Sequence, residues 1–80
     1  MKAFVTVTLK AGVLDPQGKA INHALHNLGF GNVTDVRAGK VFELDLTEND
    51  PVQARAQAED MARKLLANTV IEGFKVEIAA

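Results

Sequence analysis

The chain has 80 residues, 48% of them hydrophobic, with no cysteine and a formal net charge of −1. This length predicts one small domain, residues 1–80, and the missing cysteines exclude disulfides, thiolate catalysis and cysteine zinc sites. The near-neutral charge gives no basic footprint for nucleic acid, and no apolar run is long enough to span a membrane. The N-terminus lacks the apolar region of a signal peptide, so we expect a cytoplasmic protein.

The first part of the chain predicts a strand followed by a helix. Residues 2–9 alternate with the period of a β-strand, whereas the apolar residues of 16–28 recur at helical spacing. Asp15, followed by proline, is a suitable N-cap, and Gly29 is a suitable C-cap. Glycine in the first turn of a helix is unfavourable. We therefore expect the bare backbone of Gly18 to allow close approach of another chain or a ligand.

The rest of the chain predicts three more strands and a second helix. Residues 33–36, 41–46 and 74–78 have strand patterns, and a second cap-then-proline pattern opens a helix that runs to about Ala67. The side chains predicted on its buried face are Ala54, Ala58, Met61, Ala62 and Leu65. The order β-α-β-β-α-β favours a ferredoxin-like α+β sandwich, an antiparallel sheet with two helices on one face. Exposed sheet edges and helix ends would then be available for dimerisation.

The sequence offers little that resembles a catalytic site. Serine and cysteine are absent, and no lysine or threonine has an evident base beside it. His23 and His26 lie three residues apart on the first helix, but no third metal ligand accompanies them at helical spacing. A solvated polar face is the favoured interpretation, and a third ligand across a dimer interface is the alternative.

Two other stretches predict contacts beyond the chain itself. Arg37 and Lys40 flank a tight turn, which is either a solvated hairpin tip or a contact to an acidic patch or phosphate of a partner. Residues 65–71 carry more apolar side chains than one helical stripe can bury, because Leu66 lies about 100° around the helix from Leu65. This excess predicts a second buried face, in a dimer.

Three segments, taken in order, resemble the PurS family. They are Gly12-Val13-Leu14-Asp15-Pro16-Gln17-Gly18, Val36-Arg37-Ala38-Gly39-Lys40 and Leu65-Leu66-Ala67-Asn68-Thr69-Val70-Ile71-Glu72, with Ala24-Leu25 and Leu28-Gly29 between the first two. That family is the small subunit of phosphoribosylformylglycinamidine (FGAM) synthase, the glutamine-dependent amidotransferase of purine biosynthesis. The family often has proline in place of Thr69 and cysteine in place of Met61, and neither departure alters the assignment.

The resemblance implies a non-catalytic, ligase-associated subunit that forms a homodimer or a dimer of dimers. It would join a PurL-type synthetase to a PurQ-type glutaminase and shelter ammonia between them. ATP, Mg and glutamine would be used by those partners, and no cofactor is expected on this chain. Asp15 would fix the helix start, and Arg37 and Lys40 would pair with acidic partner groups. The candidates for self-association and partner docking are Lys10, Gly12, Asp15, Gln17, Gly18, Arg37, Gly39, Lys40, Leu66, Asn68, Val70, Ile71 and Glu72.

Other domains of this architecture are less compatible with the sequence. An acylphosphatase needs an arginine-bearing phosphate loop after the first strand, where this chain has Asp15. An RNA-binding module needs stacking aromatic residues on its central strands, and the third predicted strand has only Phe42. A small-molecule-sensing regulatory domain stays open as the alternative, because such domains also dimerise through sheet edges and have glycine after the first strand.

Overall fold

The structure, a computed structural model, describes residues 1–79. The chain order is β1 (Lys2–Leu9), α1 (Pro16–Asn27), β2 (Gly39–Asp45), α2 (Pro51–Met61) and β3 (Glu72–Ala79). A π-helical segment, Ala62–Leu66, continues α2 directly. The predicted α+β class, with an antiparallel sheet and two helices, is confirmed.

The sheet is antiparallel and has the order β2-β1-β3 among the described residues. Val5 at the centre of β1 pairs with Phe42 of β2 and with Val76 of β3. Because side chains alternate along a strand, Ala3, Val5 and Val7 point to one face, where all three are buried. α2 covers this face over β1 and β3, and its small alanine side chains let the helix approach the sheet closely.

Both helices begin as predicted. The carboxylate of Asp15 accepts a bond from the amide of Gly18 at 2.8 Å, and that of Asp50 accepts from the amide of Val52 at 3.0 Å. A proline occupies the first turn of each helix, where its missing N–H leaves no bond unmade. Gly29, at φ +99°, follows the end of α1 in the left-handed region that favours glycine.

The end of the second helix differs from the prediction. The amide of Ala67 donates to the carbonyl of Ala62 at 2.9 Å. This bond joins residues five apart, as in a π-helix, and it widens the last turn. The wider turn rotates the following side chains, so Leu66 packs on the core and Leu65 is 83% exposed. The predicted burial of Leu65 is therefore wrong, and so is that of Met61, which is 39% exposed.

The first helix projects from the end of the sheet. α1 has hardly any contact with the strands, and the chain returns alongside it from residue 28 to residue 38. His26 Nε2 lies 2.7 Å from the carbonyl of Val33, and the amide of Phe30 donates to the carbonyl of Leu25 at 3.0 Å. We call residues 16–38 the arm. It gives the molecule extents of 47 × 26 × 14 Å, and it departs from the prediction of two helices on one face.

The predicted strand at residues 33–36 lies in the arm and pairs with no strand of the described chain. Backbone amides that β-sheet pairing would need are bonded to side chains instead. The amide of Val36 donates to the Asp35 carboxylate, and that of Ala38 donates to the Asp15 carboxylate. Such local bonds compete with sheet formation. The segment predicted as the fourth strand of the β-α-β-β-α-β order therefore has no regular secondary structure in the described chain.

Candidate functional site

The three segments singled out in the sequence meet at one end of the sheet. We call this region, residues 10–18, 37–40 and 65–72, the motif end. Lys10 links all three parts: its amide donates to the carbonyl of Ile71 at 2.8 Å, and its ammonium group donates to the carbonyl of Thr69 at 2.7 Å. Its own carbonyl accepts a bond from the Arg37 guanidinium at 3.1 Å. Residues far apart in the chain thus form a single surface.

Asp15 is the polar centre of this surface. It is 5% exposed, and its second carboxylate oxygen accepts a bond from the amide of Ala38 at 2.7 Å. The amides of Gly18 and Ala38, aided by the nearby Arg37 charge, hold the pKa of Asp15 below its usual value. The residue therefore does more than begin α1, because it also fixes the start of β2 against the helix.

A cleft of about 280 Å³ opens beside Asp15, over the last residues of β1. Its lining residues are Val7, Thr8, Leu9, Asp15, Gln17, Ala38, Gly39, Lys40 and Glu72. The Lys40 ammonium lies 5.5 Å from the centre of the Phe42 ring, a cation–π distance. A cleft lined by apolar, polar and charged side chains can hold a short segment of another protein or a small polar molecule.

The segment after the second helix is a compact turn held by its own polar groups. The Asn68 carbonyl accepts bonds from the amides of Ile71 and Glu72, and the Glu72 carboxylate accepts from the Asn68 amide at 2.7 Å. With these groups satisfied, the apolar side chain of Val70 points outward and is 80% exposed. Leu65 and Leu14, the latter 62% exposed, add to the apolar surface of the motif end.

The structure corrects the expected roles of several residues. A Cβ on Gly18 would lie 2.1 Å from the carbonyl oxygen of Val36, so the close approach predicted there is made by the chain's own arm. Leu66 is partly buried and packs on the core, whereas its neighbour Leu65 is 83% exposed. The Arg37 guanidinium already holds Lys10 within the chain, although its side chain remains at the surface.

Leu14 lies within the first of the three segments, although it is not among the individual docking candidates predicted from the sequence. Its signal was a large apolar side chain directly before an N-cap, outside any strand or helix period. Gly12 lies in the same loop at φ +85°, which explains why glycine occupies that position.

The histidine pair lies elsewhere, on the arm. His23 and His26 line a polar groove together with Lys19, Asn22, Asn27, Thr34 and Asp35. Within residues 1–79, no three histidine, cysteine, aspartate or glutamate side chains are grouped as metal ligands would be. In the same part of the chain, no helix has the length and apolarity needed to cross a membrane.

Known proteins are similar to this chain in both sequence and structure. The sequence profile of the family described as "PurS: Phosphoribosylformylglycinamidine (FGAM) synthase" matches residues 2–80. The phosphoribosylformylglycinamidine synthase subunit PurS of Bacillus subtilis is 47% identical over 77 residues, which are 96% of this chain and 90% of that protein.

Solved structures of the family superpose closely. A structure of B. subtilis PurS has a TM-score of 0.86 and 46% identity, and covers 99% of this chain and 98% of that one. A chain of the structure of PurLQS from Thermotoga maritima has a TM-score of 0.86 and 26% identity, and covers 95% of this chain and 93% of that one. The match thus extends over the sheet, both helices and the motif end, and the chain belongs to the PurS family of FGAM synthase subunits.

Proposed function

We propose that the chain acts without catalytic residues of its own, as the subunit that brings a PurL-type synthetase and a PurQ-type glutaminase together. The motif end is the docking surface in this proposal. The observation that carries it is the convergence of three separated segments on one end of the sheet, where Leu14, Leu65 and Val70 expose apolar side chains. Exposed apolar side chains gathered in one region are typical of interaction sites.

The chemistry of the synthase explains why a docking subunit is useful. The glutaminase would release ammonia, and the synthetase would use ATP and Mg to activate the amide oxygen of formylglycinamide ribonucleotide. Ammonia that escapes into water is protonated and diluted, whereas two active sites held together keep its effective concentration high. In this role the chain would act in the cytoplasm beside both enzymes, supplying position rather than a reacting group.

The motif end suits docking because its backbone is fixed before a partner arrives. Asp15 and Lys10 tie its three segments together through bonds of 2.7–3.1 Å. A surface that is already ordered loses little conformational entropy on binding. Lys40 at the rim of the cleft, and the outward part of Arg37, add positive charge that would favour acidic groups on a partner.

Two matched valine variants test the docking role. Val70 is 80% exposed at the motif end and Val52 is 73% exposed on α2, so aspartate at either position leaves the core intact. Reconstituted with both enzymes, Val70→Asp should lower glutamine-dependent FGAM formation about tenfold or more, as loss of a docking contact does. Ammonia-dependent formation should stay near wild type, and Val52→Asp should change neither rate. Equal glutamine-dependent rates for both variants would contradict docking at the motif end.

A regulatory domain that senses a small molecule is the second candidate, and the cleft beside Asp15 is the observation that favours it. Glutamine, ATP or ADP would then raise the melting temperature of the isolated chain, because a ligand that binds only the folded state stabilises it. Stabilisation that Lys40→Ala abolishes would favour sensing. An unchanged melting temperature with all three compounds would contradict sensing of these compounds and leave docking as the single proposed role.

A further inference from the structure

A polar groove lies between the two layers of the arm. α1 contributes Lys19 and Asn22 to its lining, and the returning segment contributes Thr34 and Asp35. The groove has a volume of about 600 Å³, which is within the range of small-molecule sites. All the side chains that line it are polar or charged, so a polar ligand would match it and an apolar one would not.

Two contacts hold the layers of the arm together at the ends of this groove. The carbonyl oxygen of Val36 lies against Gly18 at one end, and His26 Nε2 lies 2.7 Å from the carbonyl oxygen of Val33 at the other. The Asp35 carboxylate is oriented as well, because one of its oxygens accepts a bond from the amide of Val36 at 2.9 Å. The groove is therefore formed before a ligand arrives, which lowers the entropy lost on binding.

The groove brings together two opposite charges that are not used in ion pairs. Elsewhere on the surface, the Lys64 ammonium lies 2.9 Å from the Asp60 carboxylate. Lys19 and Asp35, in contrast, take part in no salt bridge among residues 1–79, although both line the groove. Charges that line a groove attract opposite charges on a ligand. The groove is thus complementary to a small molecule that carries one anionic and one cationic group.

Asn22 adds a hydrogen-bond acceptor that lacks a donor. Its side-chain oxygen Oδ1 is buried and has no hydrogen-bond partner in the part of the chain that the structure describes. A buried acceptor without a donor is unfavourable. Because Asn22 lines the groove, rotation of its amide about χ2 would turn Oδ1 toward a ligand, and a charged N–H donor there would satisfy it.

We propose that this groove binds a free α-amino acid with a polar side chain. Lys19 binds the α-carboxylate of the ligand, and Asp35, together with the Asn22 oxygen, binds its α-ammonium group. The ligand thereby bridges α1 and the returning segment and stiffens the arm. A phosphate ester fits less well, because the Asp35 carboxylate would repel it. The site is separate from the motif end, and binding here is independent of docking there.

Glutamine titrated into the isotope-labelled full chain, with the backbone amides followed by NMR, tests this site. We expect shifts at residues 19–27 and 34–35 that saturate below about 10 mM ligand. N-acetylglutamine lacks the ammonium charge, and glutaminamide lacks the carboxylate. Each should therefore bind more weakly than glutamine by about tenfold or more.

Two variants remove one charge each from the groove. Lys19→Gln and Asp35→Asn should each weaken glutamine binding about tenfold or more. Both positions are exposed, and Asp35→Asn keeps an oxygen that can accept the bond from the Val36 amide, so both variants should fold normally. Lys40→Gln is the matched control, because Lys40 lines the separate cleft beside Asp15 and its replacement should leave binding unchanged.

The absence of shifts with about 10 mM glutamine would contradict this site. So would equal binding of glutaminamide or N-acetylglutamine, or wild-type affinity in Lys19→Gln or Asp35→Asn, because the two charges would then play no part. Shifts confined to the motif end and lost in Lys40→Gln would place the ligand in the cleft beside Asp15 instead. Because neither enzyme is present in these titrations, their failure is distinct from failure of docking at the motif end.

Discussion

Gly18 lies directly against the carbonyl oxygen of Val36, so closely that a Cβ on the glycine would come within 2.1 Å of it. No real side chain tolerates that distance to a backbone atom. The contact joins the first turn of α1 to the returning segment of the arm, beside the Asp15 carboxylate that fixes both. One missing side chain therefore permits the two layers of the arm to meet.

Gly18→Ala should separate these layers. Intrinsic helix propensity favours alanine, but the methyl group must displace the Val36 backbone, and we expect a net loss of about 1–3 kcal/mol in the free energy of unfolding. Urea denaturation measures it. Gly31→Ala is the control, because nothing lies within 4 Å of a Cβ at that position. Equal stability of the two variants would show that the arm relaxes without cost.

The charge of Asp15 should appear in the pH dependence of stability. The amides of Gly18 and Ala38 lower its folded-state pKa relative to the unfolded value of about 3.9. The resulting stabilisation is complete above the unfolded pKa and is lost as the pH falls through the lower folded pKa. Asp15→Asn should therefore be less stable than wild type at pH 7, with the difference narrowing below about pH 4.

Urea denaturation at several pH values checks this prediction. Asp35→Asn is a suitable control, because that exposed carboxylate accepts its bond from the neighbouring amide of Val36. A constant difference between wild type and Asp15→Asn from neutral to acidic pH would contradict the role given to the carboxylate charge.

The π-helical segment after α2 gives two adjacent leucines different surroundings, so we expect opposite effects of replacing them. Leu66 packs on the core, so Leu66→Ala should lower the free energy of unfolding by about 2 kcal/mol. Leu65 is 83% exposed, and Leu65→Ala should change it by less than about 0.5 kcal/mol. Thermal or urea unfolding of both variants shows which of the two leucines faces the core. A larger loss at position 65 would mean that the helix ends without the wider turn.

Arg55 binds a backbone carbonyl of β3, and we expect it to protect that edge of the sheet. Its guanidinium donates to the carbonyl of Val76 on β3 at 2.8 Å, where a further strand would otherwise bond. Arg55→Met should cost about 1 kcal/mol of stability and increase aggregation on heating, followed by light scattering. Arg63→Met, at an exposed position on the π-helical segment, is the matched control. If the two variants aggregate identically, Arg55 does not protect the edge.

Local features of this fold could be predicted because their causes lie within a few residues. Asp15 and Asp50, each followed by proline, cap both helices as expected, and Gly29 ends α1. The strand alternation of β1 likewise fixes which side chains enter the core. Each of these signals depends on backbone sterics or a neighbouring donor rather than on distant contacts.

Some of the features that sequence reasoning missed depend on contacts between distant segments, and others on local bonds that the residue pattern does not reveal. Residues 33–36 have a strand-like composition. The carboxylates of Asp15 and Asp35, however, accept bonds from backbone amides of this region, and the segment lies outside the sheet. The π-turn moves Leu66 inward, although helical spacing assigns Leu65 to that face. The close approach at Gly18 was expected, but its partner within the chain could not be identified from composition or period.

In the proposed role, this chain is the subunit on which coupling between glutaminase and synthetase depends. The most direct measurement is glutamine-dependent FGAM formation by the cognate PurL-type and PurQ-type enzymes, with and without the chain, at fixed enzyme concentrations. We predict that glutamine-dependent activity requires the chain and saturates as it is added. Equal activity in its absence would contradict this role of the chain.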